Sequence, residues 1–89
     1  VHTPLFSLIY RPASALRGAA VVSKKVAKSA AARNLIRRRL YAALQVVSTA
    51  GGEVIVVAKP AIRTRSYAAL EAALRDAYVH AVGFGGTSR

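Results

Sequence analysis

Eighty-nine residues with 14 Lys and Arg against three acids give a formal charge of +11, and 54% of the chain is apolar. That length allows one small domain; the apolar fraction excludes a disordered chain, and the lack of cysteine excludes a disulfide frame or a thiolate metal site. Charge of this size repels itself and calls for a polyanion, nucleic acid ahead of an anionic membrane surface, and the strongest apolar run, "VIVVA", is far short of the roughly 18–20 residues of a spanning helix.

The first element, "LFSLIYR" (5–11), is rich in aromatic and branched residues and reads as a strand. Alternation puts Phe6, Leu8 and Tyr10 on one face and Leu5, Ser7, Ile9 and Arg11 on the other. A turn-like "RPAS" follows, and "GAAVVSKK" from Gly18 reads as a second short strand, with residues 12–17 expected to close a hairpin. From Ser29, an expected N-cap, the period becomes helical, with Ile36, Leu40, Ala43, Leu44 and Val47 forming a stripe that should pack on a sheet. Gly51 and Gly52 stop that helix.

"EVIVVAKP" (53–60) is an unbroken β-branched run, which predicts a central strand buried on both faces. "AIRTR" then connects to a last helix capped by Ser66, with Tyr67, Leu70, Leu74, Ala77 and Tyr78 on one side. The order is β-β-α-β-α, an α/β (α+β) two-layer sandwich of a small mixed sheet packed by helices. Residues 1–82 are expected to form a single α/β domain, and "GFGGTSR" (83–89) a flexible C-terminal tail.

The charge is uneven. Residues 1–52 carry nine basic side chains and no acid, whereas 53–89 carry five against Glu53, Glu71 and Asp76. On a wheel of about 100° per residue, Arg33 and Arg37 share one flank of the apolar stripe. Asn34, Arg38 and Tyr41 lie on the adjoining exposed sector, and Arg39 falls on the far edge. Guanidinium forks bind phosphates bidentately and stack on bases. Lys24, Lys25 and Lys28 precede the cluster, and the free N–H groups at the helix start favour a phosphate. A plain solvated helix face would mix signs, and a membrane-lying helix would need the stripe that the sheet requires.

These residues resemble a family. Val22-Ser23-Lys24-Lys25 followed by Arg33-Asn34-Leu35-Ile36-Arg37-Arg38 is similar to the signature of the bacterial ribonuclease P protein subunit, a V-S-K-K run and then R-N-x-x-[KR]-R on a helix. "HTPLFSLIY" resembles that family's first strand, and "GGEVIVVAKPAIRTRSYAALEAAL" its third strand, bend and last helix, so the likeness covers about residues 2–78. The family's usual N-terminal basic helix would stand before this stretch, and the expectation is that the chain lacks it. Tyr41-Ala42 stands where the family's helix continues with Arg-Glu, and Leu35 where a basic residue is frequent.

The resemblance implies partners and roles. Ribonuclease P RNA and the single-stranded 5′ leader of precursor tRNA would be bound, and the RNA, with Mg²⁺, would cut the leader away. It marks Lys24, Lys25, Arg33, Asn34, Arg37 and Arg38 as RNA-binding, with Lys28 and Tyr41 added from the same cluster. Phe6, Tyr10 and Ser23 become leader-binding candidates, although an aromatic on a strand is more often core. The protein itself would bind no cofactor, no protein partner is evident, and the cytoplasm is the expected location.

The chain shows no catalytic apparatus of its own. Its three carboxylates form no natural pair, His2 and His80 lie at opposite ends, and Ser23 has no visible base. No catalytic or metal-ligating residue is therefore assigned. "GFGG" matches a KH-type G-x-x-G loop only formally, since it lies at the terminus. The alternative reading is a ribosomal or other general RNA-binding protein of the same fold, with a DNA-binding domain third.

Overall fold

The computed structural model describes the backbone of residues 1–87 and the side chains of residues 1–83. Strands β1 (Phe6–Arg11), β2 (Arg17–Val21) and β3 (Glu53–Ala58) form one sheet, with helix α1 (Ala30–Val47) between β2 and β3. A 3₁₀ turn (Pro60–Thr64) leads into helix α2 (Tyr67–Thr87). The order β-β-α-β-α and the two layers are as the sequence implies.

The sheet order is β1-β3-β2, with β3 antiparallel to β1 and parallel to β2. The expected β1–β2 hairpin is therefore absent, and the two strands stand on opposite sides of β3. Two features account for this. The most β-branched strand takes the centre, where both of its edges are paired. Parallel β2 and β3 need a long crossover, which α1 supplies. At the end of the sheet the Arg17 N–H donates to the Gly52 carbonyl at 2.9 Å, so the chain enters β2 already paired to the β3 side.

Both helices cover one face of the sheet, so β3 is buried on that face alone. Val54, Val56 and Ala58 are buried, whereas Ile55 and Val57 on the reverse are each 36% exposed. Register brings Ile9 beside Ile55 and Val21 beside Val57, which makes the reverse an aliphatic surface. The covered face holds Phe6 and Leu8 from β1, Leu40 and Leu44 from α1, and Leu70, Leu74 and Tyr78 from α2, in one cluster. Each such side chain contributes about 1.5–3 kcal/mol on burial.

The caps are local. Ser29 has extended backbone and its Oγ accepts from the Ala32 N–H at 3.0 Å; Ser66 Oγ does the same for Ala69 at 3.2 Å. After α1 the chain reverses through Gly51 (φ 71°) and Gly52 (φ 94°). The Tyr78 hydroxyl clamps that reversal, donating to the Gly51 carbonyl at 2.8 Å and accepting from the Ala50 N–H at 3.0 Å. Tyr67 lies at the outer edge of α2's apolar side and is 37% exposed. Helix α2 continues to Thr87 and takes in residues 83–87, read from sequence as tail. Residues 88 and 89, the rest of that expected tail, lie outside the described residues.

Candidate nucleic-acid interface

The segment between β2 and α1 is held by three inward side chains. Val22, Val26 and Ala27 are buried, and the Val26 and Ala27 N–H groups donate to the Ser23 carbonyl at 3.0 and 3.3 Å. With those anchors inside, Ser23, Lys24, Lys25 and Lys28 stand in solvent. The alternation of apolar and basic residues thus makes a turn whose outer surface is almost wholly cationic.

Arg33 reaches back to this turn. Its Nη1 donates to the Ala27 carbonyl at 3.0 Å and to the Lys28 carbonyl at 2.7 Å, and the residue is half-buried. A guanidinium suits this bridge because one nitrogen carries two donors in a fixed plane. One turn further on, Arg37 Nη1 donates to Asn34 Oδ1 at 2.7 Å, which fixes both side chains on the same flank. Arg38 is exposed beside them. Tyr41 is 42% exposed, and its hydroxyl accepts from the Ala20 N–H at 3.3 Å, covering part of the free edge of β2.

Lys24, Lys25, Lys28 and Ser29 line a groove of about 560 Å³ together with Ala32 and Arg63. No carboxylate lines it, and the capped start of α1 opens into it. Arg63 comes from the 3₁₀ turn, thirty-five residues beyond Lys28 in the chain, and sequence reasoning left it out along with Arg39 and Arg65. The basic pair in "AIRTR" was the available signal. Buried Ile62, which anchors the turn, is what sets Arg63 and Arg65 on its outside.

The remaining sequence-marked residues are placed differently. Phe6 is fully buried on the helix-covered face, and Tyr10 packs its ring edge-to-face on Tyr78 with centroids 5.8 Å apart. Phe6 presents no ring face for a base, so its marking as a leader-binding residue is withdrawn; Tyr10 is half-buried, on the same side of β1. The alternation of β1 was read correctly, but the helices cover its aromatic side. Glu53 pairs with Arg11 at 3.5 Å and Glu71 with Arg75 at 3.3 Å, both away from the basic turn. Among the described residues no three His, Asp or Glu side chains cluster as a metal site, and no helix is long and apolar enough to cross a membrane.

No curated protein matches the sequence closely enough to count. Among solved structures, the Staphylococcus aureus RNase P protein superposes with a TM-score of 0.77 at 21% identity, covering 91% of this chain and 78% of that one. A mutant of the same Staphylococcus aureus protein with defective mRNA degradation activity gives 0.73 at 21% identity, with coverages of 97% and 73%. At that identity the likeness establishes the fold, a two-layer arrangement of the same kind. The family model for ribonuclease P matches residues 1–82, which takes in the basic turn, α1, β3 and most of α2. The chain belongs to the ribonuclease P family and is a protein subunit of that tRNA-processing ribonuclease.

Proposed function

We propose that the protein binds the RNA of ribonuclease P through the Lys24–Lys28 turn and the adjoining flank of α1, and that the RNA carries the chemistry. The observation that carries this reading is the acid-free groove. Three lysines, Arg63 and the N–H groups of a capped helix start converge there, and such a set recognises phosphates by charge and by direct hydrogen bonding. Arg37 and Asn34, locked together, offer their remaining donors beside it, with Arg38 free to follow the backbone. Arg33 holds the turn in place.

The 5′ leader of precursor tRNA is the second proposed ligand. With Phe6 inside the core and Tyr10 half-buried against Tyr78, the wider sheet surface left for it is the open one, where Ser7, Ile9, Ile55 and Val57 stand side by side between Arg11 and the β2 edge. Exposed Ser23 remains on the basic turn at the margin of that sheet. Mg²⁺ is assigned to the RNA. What supports this is that Glu53 and Glu71, two of the three carboxylate side chains, are in ion pairs with arginine.

Reconstitution with a bacterial ribonuclease P RNA tests this. Precursor-tRNA cleavage at low Mg²⁺ should rise on adding the protein, and Arg37→Ala with Arg38→Ala should reduce that stimulation in a folded protein. Binding should weaken with salt by about 0.7–0.9 log units per phosphate neutralised. No stimulation, together with co-sedimentation on ribosomes, would defeat the reading in favour of a general RNA-binding role.

A further inference from the structure

A second groove lies on the other flank of α1, where the helix meets the 3₁₀ turn and the start of α2. Its floor is aliphatic: Ile62 and Leu70 are buried, and Leu35, one turn before Arg39, is 49% exposed. Its rim is Arg39, Arg63 and Arg65, and no acid lines it. None of the hydrogen bonds or ion pairs among the described residues uses these three guanidinium groups. The groove encloses about 140 Å³, the room of roughly five waters at about 30 Å³ each. That suits one flat ring and is too small for a helix.

Two observations choose the occupant. Ala32 and Arg63 line this groove and also the lysine groove, so one cationic track runs from the basic turn across α1 to Arg65. An apolar floor inside an all-guanidinium rim suits a molecule with an anionic backbone and flat apolar faces. Bases meet that description, since they stack on aliphatic and guanidinium planes once out of a duplex. A second copy of this chain does not, because it would bring a further +11 against three arginines. We infer that the groove of Leu35, Ile62 and Leu70 holds one unstacked base of a single-stranded RNA segment, whose phosphates follow the track through Arg63 to the lysine turn. This rests on the RNA-binding reading above and adds a subsite in which a base is held.

Fluorescence anisotropy of the full chain provides the test, with oligouridine of about a dozen nucleotides and an abasic ribose-phosphate strand of equal length as probes. Leu35→Ser should weaken oligouridine binding about tenfold, which corresponds to about 1.4 kcal/mol, and leave the abasic strand unaffected. Arg65→Lys, which keeps the charge and loses the plane, should also act on oligouridine alone. A 4-thiouridine in the strand should crosslink within residues 32–39 or 62–70. Equal effects on both probes, or none, would overturn the assignment, and so would tighter occupation of the groove by an acidic, tryptophan-bearing peptide. Leu35-dependent oligouridine binding without stimulation of precursor-tRNA cleavage would support this site and sink only the holoenzyme reading. The converse result would sink only this site.

Discussion

Replacing Arg33 with alanine should do more than remove one phosphate contact. Its Nη1 bridges the Ala27 and Lys28 carbonyls at 3.0 and 2.7 Å, so the guanidinium ties the basic turn to the first turn of α1. Hydrogen bonds to a charged donor contribute about 1.5–3 kcal/mol when well protected. One of these two is solvent-exposed and the other part-buried, which puts the pair together near about 1.5–2 kcal/mol. Hydrogen exchange read by mass spectrometry over residues 23–29 should therefore quicken about tenfold to thirtyfold in Arg33→Ala, since local opening is what exchange reports. The Val26 and Ala27 amides, closed on Ser23, are the sensitive ones. RNA binding then supplies the second readout. If Arg33 positions Lys24 and Lys25, its loss and theirs overlap, and a cycle of Arg33→Ala with Lys24→Ala and Lys25→Ala departs from additivity by about 0.5 kcal/mol or more. Arg38→Ala, on a side chain with no such bridge, should add to the lysine losses. Unchanged exchange over the turn together with additive binding energies would refute the positioning role and leave Arg33 a simple contact.

Two further expectations concern the reversal that feeds β3. Tyr78→Phe keeps the ring against Tyr10 but leaves the Gly51 carbonyl and the Ala50 N–H without the hydroxyl, and a thermal melt should show a loss of about 1–3 kcal/mol. Burial pushes the Tyr78 hydroxyl above its ordinary value near 10, so the unfolded chain releases that proton first. Its contribution is whole below about pH 10 and is lost as pH rises through the folded value, so the gap between wild type and Tyr78→Phe should narrow only in that alkaline range. Gly52→Ala should cost about 3 kcal/mol or more, because φ is 94° and a Cβ would overlap the Tyr10 ring. Gly51→Ala, with φ 71° and its nearest neighbour 3.9 Å away, should cost about 1–2 kcal/mol; equal losses would mean that the Tyr10 contact is unimportant.

Much of this was legible because the signals were local. Ser29 and Ser66 are caps by chemistry, the stripe Ile36, Leu40, Ala43, Leu44 and Val47 names α1's inner side, and the β-branched run 54–57 marks the central strand. Pairing was less so. Nothing within "RPASALRG" says whether the next strand returns beside β1 or crosses to the far side of β3. Nor does alternation say which face of a strand the helices will cover. Ile9, Ile55 and Val57 are as apolar as Phe6, Val54 and Val56, and the aromatic side of β1 proved to be the inner one. The basic residues of the proposed RNA surface were readable as a type but not as a set. Arg63 joins the lysines only through the fold of the 3₁₀ turn, and the bridge from Arg33 to two backbone carbonyls has no signature beyond an arginine four residues after the cap.

The placement of the charge leads to a last prediction, on salt. Helix α1 has no acid in its first turn, although carboxylates are what the positive end of a helix dipole favours there. Lys28 precedes it instead, and Arg33, Arg37, Arg38 and Arg39 crowd its first half. Neither the Arg11–Glu53 nor the Arg75–Glu71 ion pair touches α1. The free protein therefore holds an unrelieved repulsion within a radius of gyration of 12.6 Å. At 0.01 M ionic strength the screening length is about 30 Å, so every cation acts on every other; at 0.15 M it is about 8 Å, and only near neighbours do. The melting temperature of the free protein should rise by several degrees between those two conditions in KCl, at one to a few tenths of a kcal/mol for each relieved cation. RNA affinity should fall over the same range, because the charges whose repulsion salt relieves are those the RNA neutralises. A melting temperature that is flat or falls with salt would mean that these cations are already compensated within the protein, and the acid-free groove would then lose its meaning as a site built for a polyanion.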